Sequence, residues 1–146
     1  MTIPHYDVAI IGSGFSGLGM GIFLKKAGRK DFIILEKAAD IGGTWRDNHY
    51  PGAACDVPSH MYSFSFEQNP DWSRFYSGQA EILAYMKKCA NKYDLMPHFR
   101  GNSELIESRW MEADKRWQLT TANGDQYTAR VVVSGIGGLS RPALPN

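Results

Sequence analysis

The sequence has few cysteines, almost no net charge and no long apolar run, and each shortage excludes a class of protein. Its 146 residues include two cysteines, Cys55 and Cys89, which are too few for a disulfide-stabilised miniprotein. Sixteen basic and fifteen acidic residues leave a net charge of +1, so the composition does not indicate a nucleic-acid partner. No apolar run approaches the roughly 20 residues that a membrane-spanning helix needs. The N-terminus also lacks the apolar core of a signal peptide, so we expect a cytoplasmic protein that binds neither a membrane nor nucleic acid.

The histidines are also too dispersed for metal binding. Cys55 and His60 lie five positions apart, but no second pair of ligands follows them, so we expect no metal site. What the chain does contain is ordinary for a globular domain: 43% hydrophobic and 21% charged residues. Its length is that of one domain, residues 1–146.

The first quarter of the chain has the pattern of a βαβ unit over residues 6–36. Tyr6–Ile11 is a short apolar run that ends at a glycine, which is typical of a buried parallel strand. Phe15–Ala27 has apolar residues at helical spacing, and Gly28 is expected to end that helix. Asp31–Glu36 is a second apolar strand with an acid at its end. The unit has about the 30 residues that such a motif requires.

The rest of the chain predicts an irregular loop, one helix and several strands. The loop covers residues 37–76, and a helix follows over 78–93 with Ser77 as its N-cap. An antiparallel β-meander is expected over 103–130, and a separate buried return strand over 130–134. We therefore predict an α/β, Rossmann-like, three-layer domain with a parallel sheet and a small β-meander, incomplete at its C-terminus.

A glycine fingerprint joins the first predicted strand to the first helix. Gly12-Ser13-Gly14-Phe15-Ser16-Gly17 has the spacing G-x-G-x-x-G in the strand–turn–helix context that dinucleotide-binding sites require. The first glycine allows the tight turn, the second lets the backbone approach a pyrophosphate, and the third lets helix and strand pack closely. Gly19 and Gly21 lie further along the same helix, where close packing on the sheet or the cofactor is the expected reason for them.

An acid at the end of the second strand completes the pattern. Glu36 lies 24 positions after Gly12, where a carboxylate can accept hydrogen bonds from both hydroxyls of an adenosine ribose. The same charge repels a 2′-phosphate, so the site is expected to favour FAD or NAD over NADP. The alternative to a dinucleotide-binding site is a glycine-rich turn without a ligand, together with a glutamate that faces solvent.

Several further motifs carry a resemblance to a known family. They are Gly42-Gly43-Thr44-Trp45, Tyr50-Pro51-Gly52-Ala53, Cys55-Asp56 and Tyr62-Ser63-Phe64-Ser65-Phe66. Together with the fingerprint, they resemble the class B flavin-dependent monooxygenases over essentially the whole chain. The resemblance is greatest to the Baeyer–Villiger group, and the flavin-containing N- and S-oxygenating monooxygenases are its relatives.

The resemblance implies an FAD enzyme that uses NADPH and O2. In that family, NADPH reduces FAD, and reduced flavin adds O2 to give a C4a-peroxyflavin, which converts a ketone to an ester or lactone. Oxygenation of an amine or a sulfide is the alternative reaction. A non-catalytic dinucleotide-binding module is the alternative from another functional class.

The resemblance also implies roles for particular residues. Most would contact FAD: Gly12, Ser13, Gly14, Phe15, Ser16, Gly17, Glu36, Lys37, Gly43, Thr44, Trp45 and Tyr62. Leu105 and Ile106 would lie against the adenine, and Ala54, Cys55 and Asp56 match a stretch that can touch the nicotinamide cofactor. Ala54 departs from the family, which often has an arginine there. Asp56 matches an acid that pairs with a catalytic arginine, and a loop-capping aspartate is its alternative role. Trp45 and Tyr62 are otherwise core aromatics.

Four parts of the family's pattern are absent from these residues. They are the family signature segment, a second glycine fingerprint for NADPH, the arginine partner of Asp56 and the late segment that completes the FAD domain. We therefore expect the chain to be the N-terminal piece of a flavoenzyme of roughly 500 residues. Its partners would be the remainder of its own polypeptide, O2 and a ketone, amine or sulfide. The NADPH-binding domain would lie elsewhere, the chain alone would be inactive and its FAD affinity weak.

Overall fold

A computed structural model describes residues 3–138 and 144–145 of the chain. The first strand, β1, is His5–Ile11, helix α1 is Phe15–Lys26 and strand β2 is Phe32–Leu35. A short helix, α2, covers Thr44–Asp47 and a long one, α3, covers Gln79–Lys92. A 3-10 turn at Met96–His98 leads into the two-residue strand β3, Phe99–Arg100. Three longer strands follow: β4 is Leu105–Met111, β5 is Arg116–Thr121 and β6 is Gln126–Ser134.

The strands form one mixed sheet in the order β3-β2-β1-β6-β5-β4. β1 pairs in parallel with β2 on one side and with β6 on the other, and β2 pairs in parallel with β3. β4, β5 and β6 pair in antiparallel fashion and form the meander. The predicted α/β fold with a parallel sheet and a small meander is therefore confirmed. Strand β6 belongs to both parts and joins them.

Apolar side chains of the central strands divide between two clusters. Ile10, Phe32 and Ile34 are buried with residues of α1 and α3. Ile33 and Leu35, the alternate residues of β2, are buried with Leu119, Tyr127 and Ala129 of the meander. Because successive side chains of a strand point to opposite faces, the parallel strands lie between helices and meander residues. This is the predicted three-layer arrangement.

The βαβ unit forms as the sequence indicated. Helix α1 ends where Gly28 adopts a φ of +73° and its N–H donates to the Lys25 carbonyl oxygen at 3.0 Å. A side chain at Gly21 would lie 3.3 Å from Ile34 of β2, so this glycine permits close packing on the sheet. A side chain at Gly19 would instead lie 3.1 Å from the Phe64 ring. Gly19 therefore permits a close contact with the loop over 37–76, and the expected packing on the sheet or the cofactor is wrong for this glycine.

Two predictions about β6 are wrong. The meander strand and the return strand are one continuous strand, Gln126–Ser134. Its second half is not buried, since Val131 is 50% exposed. The pairing with β5 ends at Ala129, and from Val131 onward β6 pairs with β1. One edge of this segment is therefore unpaired among the described residues, and the apolar run Val131–Val133 does not reveal that.

The predicted N-cap of α3 is also wrong. Gly78 occupies the cap position and makes no side-chain cap bond. The Ser77 hydroxyl instead lies 2.8 Å from the Ser59 hydroxyl, and both serines are buried. Ser77 therefore anchors the loop over 37–76 at the start of α3.

Among the described residues, no helix combines the length and the apolar character needed to cross a membrane. The same residues contain no group of three or more histidine, cysteine, aspartate or glutamate side chains that could hold a metal ion.

Candidate functional site

A cleft of about 940 Å³ opens at the carboxyl ends of β1, β2 and β6. β1 lies between β2 and β6 in the sheet. The chain runs from β1 through α1 to β2 on one side and later returns as β6 on the other side, so the strand order reverses at this point. In open α/β sheets, ligands bind in the crevice at such a switch point. The volume lies in the upper part of the range typical of small-molecule sites. The cleft can therefore hold a large ligand.

Most of the predicted site residues line this cleft. They are Gly12, Ser13, Gly14, Phe15, Ser16, Glu36, Lys37, Gly43, Thr44, Trp45, Tyr62 and Leu105. Gly17 lies buried behind them.

The first and third glycines of the fingerprint are required by close backbone contacts. Gly12 has a φ of +95°, and a Cβ there would lie 2.5 Å from the Gly135 carbonyl oxygen. A Cβ at Gly17 would lie 1.9 Å from the Gly12 carbonyl oxygen and 3.5 Å from a methyl of Ile10. Gly17 thus lets α1 pack on β1, which is the role that the sequence predicted for it.

The second glycine lies where α1 begins and faces the double glycine of the loop. Gly14 caps α1, and Phe15 and Ser16 form its first turn on the cleft wall. The amides of a helix's first turn have no partner within the helix, so they and the helix dipole attract an anion. A Cβ at Gly43 would lie 3.1 Å from the Gly14 Cα. The two glycine motifs therefore form one backbone surface.

Glu36 is buried at the other end of this surface, with 4% of its area exposed. Its Oε2 accepts hydrogen bonds from the Ser13 backbone N–H at 2.9 Å and the Ser13 hydroxyl at 2.7 Å. Its Oε1 accepts a hydrogen bond from the Ala38 backbone N–H at 3.0 Å. The alternative of a solvent-facing glutamate is therefore wrong.

Arg46 on α2 is the cation beside Glu36, and the sequence did not identify it. Its Nη1 lies 3.2 Å from Glu36 Oε1. Burial opposes the charge of Arg46, but Asp47 and Glu36 outweigh that effect and raise the pKa of its guanidinium. No motif or periodicity links positions 36 and 46. The signal that could have found it is an arginine three positions after the double glycine that follows Glu36.

Trp45 and Tyr62 form the wall of the cleft beyond α1. The Trp45 ring N–H donates to the Tyr62 hydroxyl at 2.9 Å, and the Tyr62 ring packs edge-on against Phe15 at 5.0 Å. Burial raises the pKa of the Tyr62 hydroxyl. Both aromatics also pack against the helix-side core, the buried cluster that Ile10, Phe32 and Ile34 form with α1 and α3. They are therefore core residues that line the cleft as well.

Four other predicted site residues do not line the cleft. Ile106 is 63% exposed on β4. Ala54 forms an isolated antiparallel bridge with Gly78, and Cys55 is buried in the helix-side core. Asp56 is exposed, and no hydrogen bond or ion pair to its side chain is found among the described residues.

The cleft also contains residues that the sequence did not assign to a site. Ser103, Glu104 and the glycine-rich segment Gly135–Gly138 line it beside the fingerprint. Gly135 donates its N–H to the Ile11 carbonyl oxygen at 2.8 Å, which fixes the end of β6 beside the end of β1. The run Gly135-Ile136-Gly137-Gly138 resembles a linker in sequence, but its place at a strand end makes it cleft wall.

Known proteins resemble this chain in sequence. The family of NAD(P)-binding Rossmann-like domains matches residues 10–78. A Baeyer–Villiger monooxygenase of Pseudomonas aeruginosa is 56% identical over 141 residues, which are 97% of this chain and 27% of that protein. A cyclohexanone 1,2-monooxygenase of Acinetobacter sp. is 34% identical over 145 residues, again 27% of its length.

Solved structures resemble it in fold. Cyclohexanone monooxygenase from Rhodococcus sp. Phi1, bound to NADP+, superposes with a TM-score of 0.93 at 34% identity over 99% of this chain. A steroid monooxygenase bound to NADP gives a TM-score of 0.90 at 36% identity. The chain spans about a quarter of the length of these relatives, 27% of the Pseudomonas protein and 28% of the Rhodococcus enzyme. The resemblance to Baeyer–Villiger monooxygenases that the sequence indicated is therefore confirmed over nearly the whole chain.

Proposed function

We propose that this chain is the FAD-binding segment of a flavin monooxygenase that uses NADPH and O2 to convert ketones to esters or lactones. One observation carries the proposal. The cleft presents a backbone surface that side chains at Gly12 and Gly43 would disrupt, with a buried carboxylate at its far end. That surface fits the pyrophosphate of FAD, and Glu36 fits the ribose hydroxyls of its adenosine half.

Each part of the cleft has a role in this proposal. The first-turn amides at Phe15 and Ser16 bind the pyrophosphate, and the positive end of α1 attracts it. Glu36 orients the ribose and disfavours a 2′-phosphate at this position. Trp45 and Tyr62 form the wall toward the flavin. When bound, FAD supplies the electron transfer between NADPH and O2, which the side chains of this chain cannot perform.

The ketone substrate comes from the relatives. The Acinetobacter and Rhodococcus relatives are named for cyclohexanone, and one solved structure contains cyclohexanone. Asp56 remains our candidate catalytic acid. The remainder of the polypeptide would supply its arginine partner and the NADPH site. Since both cysteines are free, we propose the cytoplasm as the location.

A titration of the purified 146-residue chain with FAD tests the binding proposal. We expect quenched flavin fluorescence at saturation, with weak affinity and no NADPH-dependent turnover. NADP+ should compete poorly because its 2′-phosphate meets Glu36. Failure of FAD to bind would contradict the assignment of the cleft. Nanomolar FAD affinity would contradict the expected weakness, and sustained ketone oxygenation by the chain alone would contradict its role as a segment.

The reaction is tested on the longer polypeptide proposed to contain this chain. NADPH consumption should rise when a cyclic ketone is added, and the product should carry one additional oxygen atom from O2. Stimulation by a sulfide or an amine in place of the ketone would favour N- or S-oxygenation. Bound flavin without any turnover would favour a non-catalytic module.

A further inference from the structure

Arg46 is held from several sides at once. Its Nη1 lies 2.5 Å from the Asp40 carbonyl oxygen and 3.2 Å from Glu36 Oε1. Its Nε and Nη2 lie 2.8 Å and 3.1 Å from the two carboxylate oxygens of Asp47. Only 14% of the side chain is exposed. The planar guanidinium is therefore fixed in one orientation, with one edge toward Glu36.

Glu36 needs such a partner because its carboxylate is buried. An unpaired buried charge is costly, and Arg46 is the cation that forms an ion pair with Glu36 among the described residues. The bonds to Ser13 and Ala38 fix the carboxylate from the strand side, and Arg46 approaches it from the loop side. Arg46 also lines the cleft. Together with Ser13 and Ala38, it therefore fixes the direction in which the Glu36 oxygens point.

We propose that Arg46 is a positioning residue for ribose recognition: it holds the Glu36 carboxylate in the orientation that accepts the adenosine hydroxyls. This rests on the proposed function, in which the cleft takes the adenosine half of FAD. Because Arg46 follows Thr44 and Trp45 on α2, it also links the ribose end of the cleft to the flavin-side wall. The alternative is that Arg46 only anchors α2 to the loop and has no effect on what Glu36 recognises.

Two substitutions of Arg46 separate the effect of its positive charge from the effect of its forked guanidinium shape. R46M keeps much of the aliphatic length and removes the charge. R46K keeps the charge but loses the rigid fork that reaches Asp40, Glu36 and Asp47 together. R109M is the matched control, because Arg109 pairs with Glu107 on the exposed surface of β4, outside the cleft. Thermal unfolding of each variant checks that it is folded. If R46M does not fold, the binding measurements on R46K test the proposal.

The experiment measures binding of ADP and 2′-deoxy-ADP to the longer polypeptide without its flavin, by competition with FAD. The unmodified protein should bind ADP more tightly than 2′-deoxy-ADP. In R46M, FAD affinity should fall about ten-fold, as expected when a charged hydrogen-bonding partner is disturbed. The ratio between the two nucleotides should fall toward one. R46K should lie between R46M and the unmodified protein, and R109M should match the latter.

The outcomes distinguish this inference from the proposed function. If neither FAD nor ADP binds the unmodified protein, the proposed function fails and the inference fails with it. If both bind but R46M and R46K weaken ADP and 2′-deoxy-ADP equally, the cleft assignment stands. In that case Arg46 only anchors α2, and the positioning role is overturned.

Discussion

Two regions of the molecule, the adenosine end of the cleft and the outer part of the loop between β2 and α3, differ in how their side chains are held. The adenosine end of the cleft, comprising Gly12–Gly17, Glu36 and Gly42–Arg46, is closed by backbone contacts and buried hydrogen bonds. The outer loop, residues 50–61, is attached at the buried Ser59, whose N–H donates to the Phe75 carbonyl oxygen at 2.8 Å and whose hydroxyl lies 2.8 Å from the Ser77 hydroxyl. Yet Asp56 and Met61 extend into solvent, Met61 with 76% exposure.

Under the proposed function, this difference separates the binding of FAD from catalysis. Most of the adenosine end comes from residues 12–46, the βαβ unit and the start of the loop that follows it, and the end of β6 completes it where Gly135 packs against Gly12. The acid of the outer loop has no partner among the described residues that would fix its position. We infer that binding is encoded locally, whereas catalysis depends on residues elsewhere in the polypeptide.

The largest effect is expected at the contact between Gly17 and Gly12, which closes the backbone of the adenosine end behind the glycine fingerprint. A Cβ at Gly17 would lie 1.9 Å from the Gly12 carbonyl oxygen, so G17A should destabilise the chain by about 3 kcal/mol or more. G14A is the matched control, since the nearest atom to its Cβ is the Gly43 Cα at 3.9 Å. It should cost about 1 kcal/mol as a poorer N-cap and mainly weaken FAD binding. Urea unfolding and FAD titration give both values. Equal unfolding midpoints would refute the packing role of Gly17.

A change of charge at Glu36 is expected to have the next largest effect. In E36Q, the new amide group must face the backbone N–H of either Ser13 or Ala38, so one buried donor loses its acceptor. Arg46 loses its buried partner as well. Stability should fall by about 1–3 kcal/mol, with weaker FAD binding. E107Q, on the exposed surface of β4, should change stability by less than about 0.5 kcal/mol. An E36Q chain as stable as the unmodified one would mean that Glu36 is not held as described.

A smaller, pH-dependent effect is expected where the loop is attached to α3. Glu67 lies 2.7 Å from the Lys92 ammonium and 2.8 Å from the Tyr93 hydroxyl, and hydrogen bonding to Lys92 lowers the pKa of the carboxyl. A lowered pKa means that the stabilisation is complete above the ordinary glutamate value of about 4.3. It is lost as pH falls from there through the lower folded value.

E67Q should therefore reduce stability at pH 7 by less than about 1 kcal/mol and have a shrinking effect below pH 4. Urea unfolding at pH 7, 5 and 3.5 measures this. E112Q serves as the control, because Glu112 has a lowered pKa beside Lys115 but lies on an exposed hairpin. A constant E67Q effect across that range would exclude the ion pair as its cause.

Local patterns were sufficient to predict the βαβ unit. Gly12, Gly17 and Glu36 are fixed by a tight turn, a helix–strand contact and a strand end, and all three are encoded within a few residues. Their positions in the structure match those expectations. The three-layer fold follows from continuous apolar runs such as Phe32–Leu35, in which every residue is buried and both faces of the strand are covered.

The sequence failed where a residue's role depends on a distant neighbour. Ser77 has the composition of an N-cap, but its hydroxyl bonds to Ser59 eighteen positions earlier. The apolar run Val131–Val133 resembles a buried strand, yet Val131 is 50% exposed, because exposure depends on which distant elements cover each face of the sheet. Arg46 belongs to no motif, and its importance comes from the fold that places it on Glu36.

The smallest expected effect on stability, at Asp56, sharpens the comparison most. Since Asp56 is exposed and outside the cleft, D56N should change neither the unfolding free energy by more than about 0.5 kcal/mol nor the FAD affinity of the chain. In the longer polypeptide, the same change should abolish most ketone oxygenation while flavin remains bound. A loop-capping aspartate predicts the reverse: a less stable chain and little change in turnover per folded molecule. Unfolding curves measured beside turnover therefore decide which role this carboxylate has, and whether binding and catalysis are divided as the two regions indicate.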